Sequence, residues 1–88
     1  MGPQKYRKKP VVIEAIQWTG DNGEDIGAFC PVALPISQTD SGLSIATAEG
    51  DMRCEVSDWI IKGVRQPPHP PDFYPCKPDV FEATYEEA

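Results

Sequence analysis

Prolines limit the length of any helix or strand that this chain can form. The sequence contains ten prolines among 88 residues, and four of them lie between Gln66 and Asp72. Proline has no backbone N–H and a fixed φ, so it interrupts helices and is excluded from central strands. We therefore expect short elements separated by loops, and we expect residues 66–72 to stay outside any sheet.

Three segments predict strands. Residues 11–18 (VVIEAIQW) are rich in β-branched and aromatic side chains, and their apolar residues occupy both alternating sets. That composition is typical of a central strand covered on both faces. Residues 59–64 (WIIKGV) predict a further strand, and residues 73–76 (FYPC) predict a short extended segment.

Two segments predict short helices. Asn22 can cap the first helix, and Pro31 ends it. Pro78 suits the first position of a closing helix over residues 79–86, whereas residues 31–42 predict a loop. The expected inner faces carry Ile26, Phe29 and Cys30 in the first helix, and Val80, Phe81, Thr84 and Tyr85 in the second.

A hairpin is expected between residues 43 and 56. If Glu49 and Gly50 form a two-residue turn, Ile45 faces Cys54 and Leu43 faces Val56. One face of the hairpin would then carry Leu43, Ile45, Met52, Cys54 and Val56, and the other would carry Ser44, Arg53 and Glu55. This separation of apolar from polar residues supports the hairpin.

These elements predict an α+β fold. We expect a small twisted antiparallel or mixed sheet of four to five strands with two short helices. Residues 1–9 are expected to form a basic N-terminal tail, and residues 10–88 a single domain. A core this small favours a homo-oligomer.

Charge is unevenly distributed along the chain. The net charge is −6, and four of the eight basic residues precede residue 10, which leaves four basic against fourteen acidic residues beyond it, a net −10. A surface of this kind repels phosphate backbones, so general nucleic-acid binding is not expected. No apolar run is long enough to span a membrane, and no signal peptide is predicted.

The three cysteines do not form a recognisable motif. Their odd number and wide spacing argue against a disulfide framework and favour a reducing cytoplasm. Cys30, Cys54, Cys76 and His69 equal the ligand count of a zinc site, but their spacing does not match one. We expect no metal and no cofactor.

Cys76 precedes a predicted helix and is followed by Lys77, an arrangement that can favour a reactive thiolate. A packed thiol is the simpler interpretation, as is a solvated face for the carboxylates Glu49, Asp51 and Glu55. No catalytic residues are predicted, although an enzyme that uses Cys76 or these carboxylates stays an alternative.

Two stretches resemble a family of small phage and prophage proteins without an assigned activity. The first is KYRKKPVVIEAIQWTG (residues 5–20), which is similar to the opening of these proteins. The second is DWIIKGV (58–64) followed by FYPCKPDVFEATYE (73–86), which is similar to their ending. The resemblance covers about half of the chain. It implies a phage origin and the cytoplasm of an infected host cell.

This sequence departs from the family pattern in two places. The family joins its last two strands by a tight Gly-Glu turn, whereas a proline-rich loop over residues 65–72 stands here. The residue before Asp58 is usually glycine in the family, and here it is Ser57.

Aromatic and cationic side chains come together in the second half of this acidic chain. An anion placed there would meet cations, stacking rings and a helix N-terminus. The candidate ligand-binding residues are Trp59, Lys62, Arg65, Tyr74 and Lys77.

The expected function is non-enzymatic binding. The sharpest version is a phage anti-defence protein, a sponge that sequesters a nucleotide-derived immune signal and so mediates immune evasion. The alternative is an acidic protein–protein inhibitor or interaction module that acts on a host defence protein.

Overall fold

A computed structural model describes residues 3–5, 12–63 and 72–86 of the chain. These residues form six strands and two helices in the order β1 (Glu14–Gln17), α1 (Gly23–Phe29), β2 (Ala33–Pro35), β3 (Leu43–Thr47), β4 (Gly50–Cys54), β5 (Trp59–Gly63), β6 (Asp72–Cys76) and α2 (Pro78–Thr84). The α+β class is confirmed. The strands form two three-stranded antiparallel sheets, so the expectation of one sheet with four to five strands is wrong.

Several predicted features lie outside the described residues. They include Arg65, His69 and the loop that contains them, apart from Asp72, which begins β6 instead of staying outside a sheet. Most of the basic N-terminal tail is also outside; of its cations only Lys5 is described, and it is exposed.

The first sheet has the strand order β1-β5-β6. Strand β5 lies in the centre, and its adjacent residues Ile60 and Ile61 are both buried, so β5 is the strand covered on both faces. In the described part of the chain β1 pairs only with β5, which makes it an edge strand and overturns its prediction as a central one. The presence of apolar residues in both alternating sets of β1 therefore did not show whether β1 or β5 is the central strand.

The second sheet has the strand order β2-β3-β4. The hairpin of β3 and β4 forms, but Ile45 faces Met52 and Leu43 faces Cys54, a shift of two residues from the expected register. Because side chains alternate with a period of two, this shift keeps each side chain on its expected face. Met52 and Val56 are nevertheless partly exposed at 44% and 38%, since β4 is an edge strand and Val56 lies beyond it.

The turn of this hairpin is set by Thr47 and Gly50. Those two residues pair, so Ala48 and Glu49 form the loop instead of Glu49 and Gly50. The Thr47 hydroxyl donates to the Gly50 carbonyl at 2.6 Å and accepts from the Glu49 N–H at 3.1 Å. Gly50 has a φ of 108°, a conformation that side chains rarely adopt.

The core lies between the two sheets and α1. Strand β6 packs against β3 and β4, which brings the sheets together. Ile26 and Cys30 are buried on the inner face of α1, as expected, and Phe29 is half-buried. The buried cluster contains Trp18, Ile26, Cys30, Leu43, Ile45, Cys54, Ile60 and Phe73.

Asn22 occupies the N-cap position of α1, but its side chain does not cap the helix. It instead accepts from the Thr19 N–H at 3.0 Å and donates to the Gln17 carbonyl at 2.8 Å. Asn22 therefore holds the turn between β1 and α1.

Helix α2 covers the far face of the first sheet and has no buried residue of its own. Phe81 and Tyr85 are half-buried, whereas Val80 is 52% exposed and Thr84 is exposed. The expected inner face is therefore correct for the two aromatic residues and wrong for Val80 and Thr84. Seven residues with so little burial make a helix that depends on a few specific contacts.

Candidate functional site

The register of β5 and β6 separates the predicted ligand-binding residues. Trp59 and Tyr74 lie on the α2-facing side of the first sheet, whereas Lys62 lies on the opposite side, toward the core. Lys77 follows β6 at the start of α2. The described residues of the predicted set therefore do not line one cleft, and ligand binding by them stays a prediction.

On the α2 side, Trp59 stacks against Phe81. The ring centroids are 4.1 Å apart and the planes differ by 6°. Phe81 in turn contacts Tyr85, with ring centroids 5.1 Å apart. Three aromatic side chains thus fix α2 on the sheet, and stacking of this kind contributes roughly 0.5–1.5 kcal/mol for each pair beyond burial.

The two tryptophans differ in how their indole N–H groups are satisfied. Trp18 donates from Nε1 to the Ser41 carbonyl at 2.8 Å. Nε1 of Trp59 is buried, and it has no hydrogen-bond partner among the residues described. A buried donor without an acceptor is costly, so the contrast marks Trp59 as an unusual position.

Tyr74 lies on the same side of the sheet as Trp59. Burial, together with the interaction with the Tyr85 side chain, raises the pKa of Tyr74 to about 12. Tyr74 is therefore held as a neutral phenol that supports the α2 contacts.

Lys77 is engaged by a buried carboxylate. Its ammonium lies 3.0 Å from Oδ2 of Asp58, whose side chain is 4% exposed. The hydrogen bond with Asp58 raises the pKa of Lys77 above its ordinary value. Lys77 therefore anchors the start of α2, although 61% of its side chain is exposed, and ligand binding by Lys77 stays a prediction.

The core side of the first sheet opens into a cleft of about 510 Å³. It lies between the end of α1, the turn of the β3–β4 hairpin and the ends of β5 and β6. Phe29 and Phe73 meet edge to face in its wall, with centroids 5.9 Å apart. Other lining residues include Val32, Ala46, Lys62 and Asp72.

Lys62 brings a cation to this cleft. No hydrogen bond or ion pair holds its ammonium in the ranges described, in contrast to Lys77. Glu14 is its cross-strand partner in β1, and Asp72 lines the same cleft. The site therefore combines one cation, neighbouring carboxylates and an aromatic wall.

The sequence analysis identified Lys62 but missed the rest of this cleft. Phe29 was assigned to the inner face of the first helix and Phe73 to a short extended segment. Val32 and Asp72 were placed in loops. These residues meet only through the packing of α1 against the sheets. The sequence offered no local signal for that packing.

The cysteine side chains are poorly suited to nucleophilic chemistry. Burial raises the pKa of the Cys54 thiol to about 12 and that of Cys30 in the same direction. Burial, Asp58 and Asp79 also raise the pKa of Cys76, and burial is the largest of the three causes. This direction favours the packed thiol, the simpler interpretation, over a reactive thiolate.

Surface ion pairs centred on Arg53 lie on the polar face of the hairpin. Arg53 pairs with Glu55 and lies 2.7 Å from Asp40, and its hydrogen bonds lower the pKa of Asp40. Glu49 and Asp51 are exposed. This arrangement is a solvated charged face, as the simpler interpretation expected.

In the ranges that the structure describes, no cluster of His, Cys, Asp and Glu side chains could hold a metal ion; His69 lies outside those ranges. The same residues include no helix long and apolar enough to cross a membrane.

An apolar stripe runs along the outer side of β2. Leu34 is 63% exposed, and its neighbours at alternate positions, Val32 and Ile36, are 37% and 42% exposed. Strand β2 is a strand that the sequence analysis missed, because three residues flanked by prolines show no alternation. Exposed apolar residues in one row are typical of contact surfaces.

Comparisons with protein-family models, with curated proteins and with solved structures found no match to this chain. The resemblance to phage proteins therefore depends on the motifs in residues 5–20, 58–64 and 73–86 alone.

Proposed function

We propose that this protein is a non-enzymatic binding protein whose cleft at Lys62 holds a small anionic molecule that carries a flat ring. The single observation that carries the proposal is the position of Lys62. Its ammonium is not held by an ion pair in the described ranges, and it lies at a cleft with an aromatic wall.

The composition of the cleft favours a nucleotide-like ligand. Lys62 can bind a phosphate, and the Phe29–Phe73 wall can contact a base. Glu14 and Asp72 would repel a ligand that carried only negative charge. The Glu14 carboxylate can instead accept hydrogen bonds from ribose hydroxyls or from an exocyclic amine. A volume of about 510 Å³ lies within the range of small-molecule sites.

The raised thiol pKa values support binding without catalysis. Cys30, Cys54 and Cys76 all have pKa values above the ordinary thiol value. The raised thiol pKa values and the resemblance to phage proteins together support a role in binding a host signal. We infer that the protein acts as a sponge in the infected cell, and that it sequesters a nucleotide-derived immune signal without altering it.

Calorimetry against cyclic dinucleotides and ADP-ribose-derived messengers tests this proposal. We expect saturable binding of one messenger, and binding weakened at least about tenfold in Lys62→Met, because a hydrogen bond to a charged group contributes about 1.5–3 kcal/mol. Lys5→Met removes the same charge at an exposed position and should leave binding unchanged. If the folded protein bound none of these messengers, the result would contradict the proposal.

The fate of the ligand separates a sponge from an enzyme. Heating the complex until the protein denatures should release the messenger chemically intact. Recovery of a cleaved messenger would instead indicate catalysis.

A second function is favoured by the apolar stripe on β2. An acidic protein with exposed Val32, Leu34 and Ile36 could bind a host protein that offers basic and apolar residues. In that case a partner pulled down from host lysate should be lost at high salt and also lost with Leu34→Ser. Leu34 is 63% exposed, so this substitution should leave the fold intact.

A further inference from the structure

A separate feature, on the opposite side of the first sheet from Lys62, carries an inference that does not depend on the proposed function. Trp59 lies under α2 with a buried indole N–H that has no acceptor in the described part of the protein. Buried donors in folded proteins nearly always have a partner. Because Trp18 is fully satisfied by Ser41, the missing partner is specific to Trp59.

Helix α2 is held over Trp59 by contacts at two points. At its start, Lys77 is bound to Asp58 at 3.0 Å. Further along the helix, the Phe81 ring stacks on Trp59, and the ring of Tyr85 contacts Phe81. The helix has seven residues, none of them buried, and neither end is capped by a side chain. An element with so little burial opens at low free energy compared with the rest of the fold.

These observations give α2 the properties of a lid. The Lys77–Asp58 ion pair precedes the helix, so it can stay in place as a tether while the helix moves away. Movement of Phe81 would expose the flat face of Trp59 that it covers. The indole N–H lies at the edge of the same ring system and has no acceptor in the described part of the protein. The exposed surface is therefore an aromatic platform with a hydrogen-bond donor at its edge.

We propose that α2 opens to form a second binding site, in which a planar ring with a hydrogen-bond acceptor at its edge replaces Phe81 on Trp59. The ring class that combines a flat face with edge acceptors is the nucleobase. A neutral purine nucleoside satisfies this requirement without the phosphate that Lys62 would bind, so the two sites can be tested separately.

Tryptophan fluorescence with adenosine and guanosine tests the site. We expect a saturable change in emission for the wild-type protein with at least one of the two nucleosides. Trp59→Phe keeps a stacking ring but removes both the N–H and the emission of Trp59, so binding to this variant is measured by calorimetry and should be weakened severalfold, with Trp18 emission reporting an intact fold. Phe81→Ala removes the competing ring and should tighten binding severalfold. Val80→Ala, at an exposed position of the same helix, should have no effect.

Hydrogen exchange tests the opening of α2. The Phe81 N–H donates to the Lys77 carbonyl, and the Tyr85 N–H donates to the Phe81 carbonyl. They should exchange through local opening, much faster than the amides of β5, and more slowly once the nucleoside is bound.

Three outcomes would overturn the proposal. The first is the absence of a saturable change in wild-type protein at millimolar concentrations of both nucleosides, whatever Phe81→Ala shows. The second is nucleoside binding to Trp59→Phe, measured by calorimetry, that is as tight as binding to the wild-type protein. The third is exchange of α2 amides only together with those of β5. Lys62→Met should leave nucleoside binding unchanged, so failure here is distinguishable from failure of the cleft at Lys62.

Discussion

The carboxylate of Asp58 joins two parts of the chain through its contact with the ammonium of Lys77. Oδ2 of Asp58 lies 3.0 Å from Nζ of Lys77 and also accepts the backbone N–H of Glu55 at 2.9 Å. One buried oxygen therefore links the segment after the β3–β4 hairpin to the start of α2. Only 4% of the Asp58 side chain is exposed, so the protein has to supply the hydrogen-bond partners of this carboxylate.

Removal of this carboxylate should destabilise the fold. Asp58→Ala leaves the Glu55 N–H without its acceptor, and we expect a loss of about 1–3 kcal/mol in the free energy of unfolding. Asp58→Asn keeps an acceptor and should cost less. Urea unfolding measures both, with Glu82→Gln as the control at an exposed carboxylate. Equal losses for the two Asp58 variants would contradict the role given to the Glu55 hydrogen bond.

Alkaline pH should destabilise the protein through Cys54. Burial raises the pKa of this thiol from its ordinary value of 9.0 to about 12 in the folded protein. The folded state therefore holds the proton more tightly than the unfolded state. The resulting stabilisation is complete below pH 9 and is lost as the pH rises toward 12.

Urea unfolding at neutral pH and at intervals above pH 9 checks this prediction. Cys54→Ala should show a shallower decline in stability over that range, whatever its stability at neutral pH. Parallel declines for the two proteins would show that another group is responsible.

Ser57 occupies a conformation that suits glycine. Its φ is 84°, the only positive φ outside glycine in the described ranges. The phage proteins that this sequence resembles usually have glycine at this position. Ser57→Gly should therefore stabilise the fold by about 0.5–1 kcal/mol, because relief of the backbone strain exceeds the entropy cost of glycine. Thermal unfolding checks the gain, and a lower melting temperature would count against it.

Two glycines should respond to alanine in opposite directions. Gly50→Ala introduces a side chain at a φ of 108° in the hairpin turn, and we expect a loss of about 1 kcal/mol or more. Gly27 lies within α1 with open space around it, so Gly27→Ala should stabilise by about 1 kcal/mol through helix propensity. Urea unfolding measures the change in the free energy of unfolding for each variant. A gain in stability for Gly50→Ala would refute the assignment of the turn.

The sequence predicted on which face of the hairpin each side chain lies better than it predicted the register of the two strands. The separation of Leu43 and Ile45 from Ser44 followed from alternation and is confirmed. The register was wrong by two residues, because a shift of that size leaves the alternation unchanged. The hydrogen bonds of Thr47 and the φ of Gly50 selected the turn, and neither is visible as a hydrophobic pattern.

The candidate site could be predicted only in part. Trp59 and Lys62 are three residues apart in one strand, and the two-residue period of a strand places them on opposite faces. That signal was present in the sequence and would have separated them. The meeting of Phe29 with Phe73 depends on how α1 packs on β6, which no local pattern determines.

The position of β5 at the centre of the first sheet has a consequence for the order of synthesis. Strand β1 is made early, but its partner β5 follows the whole of the second sheet. A growing chain that has reached only β4 can form the local hairpin, while Ile16 and the rest of β1 have no strand to pair with. The first sheet is therefore completed only after both strands of the local hairpin have been synthesised.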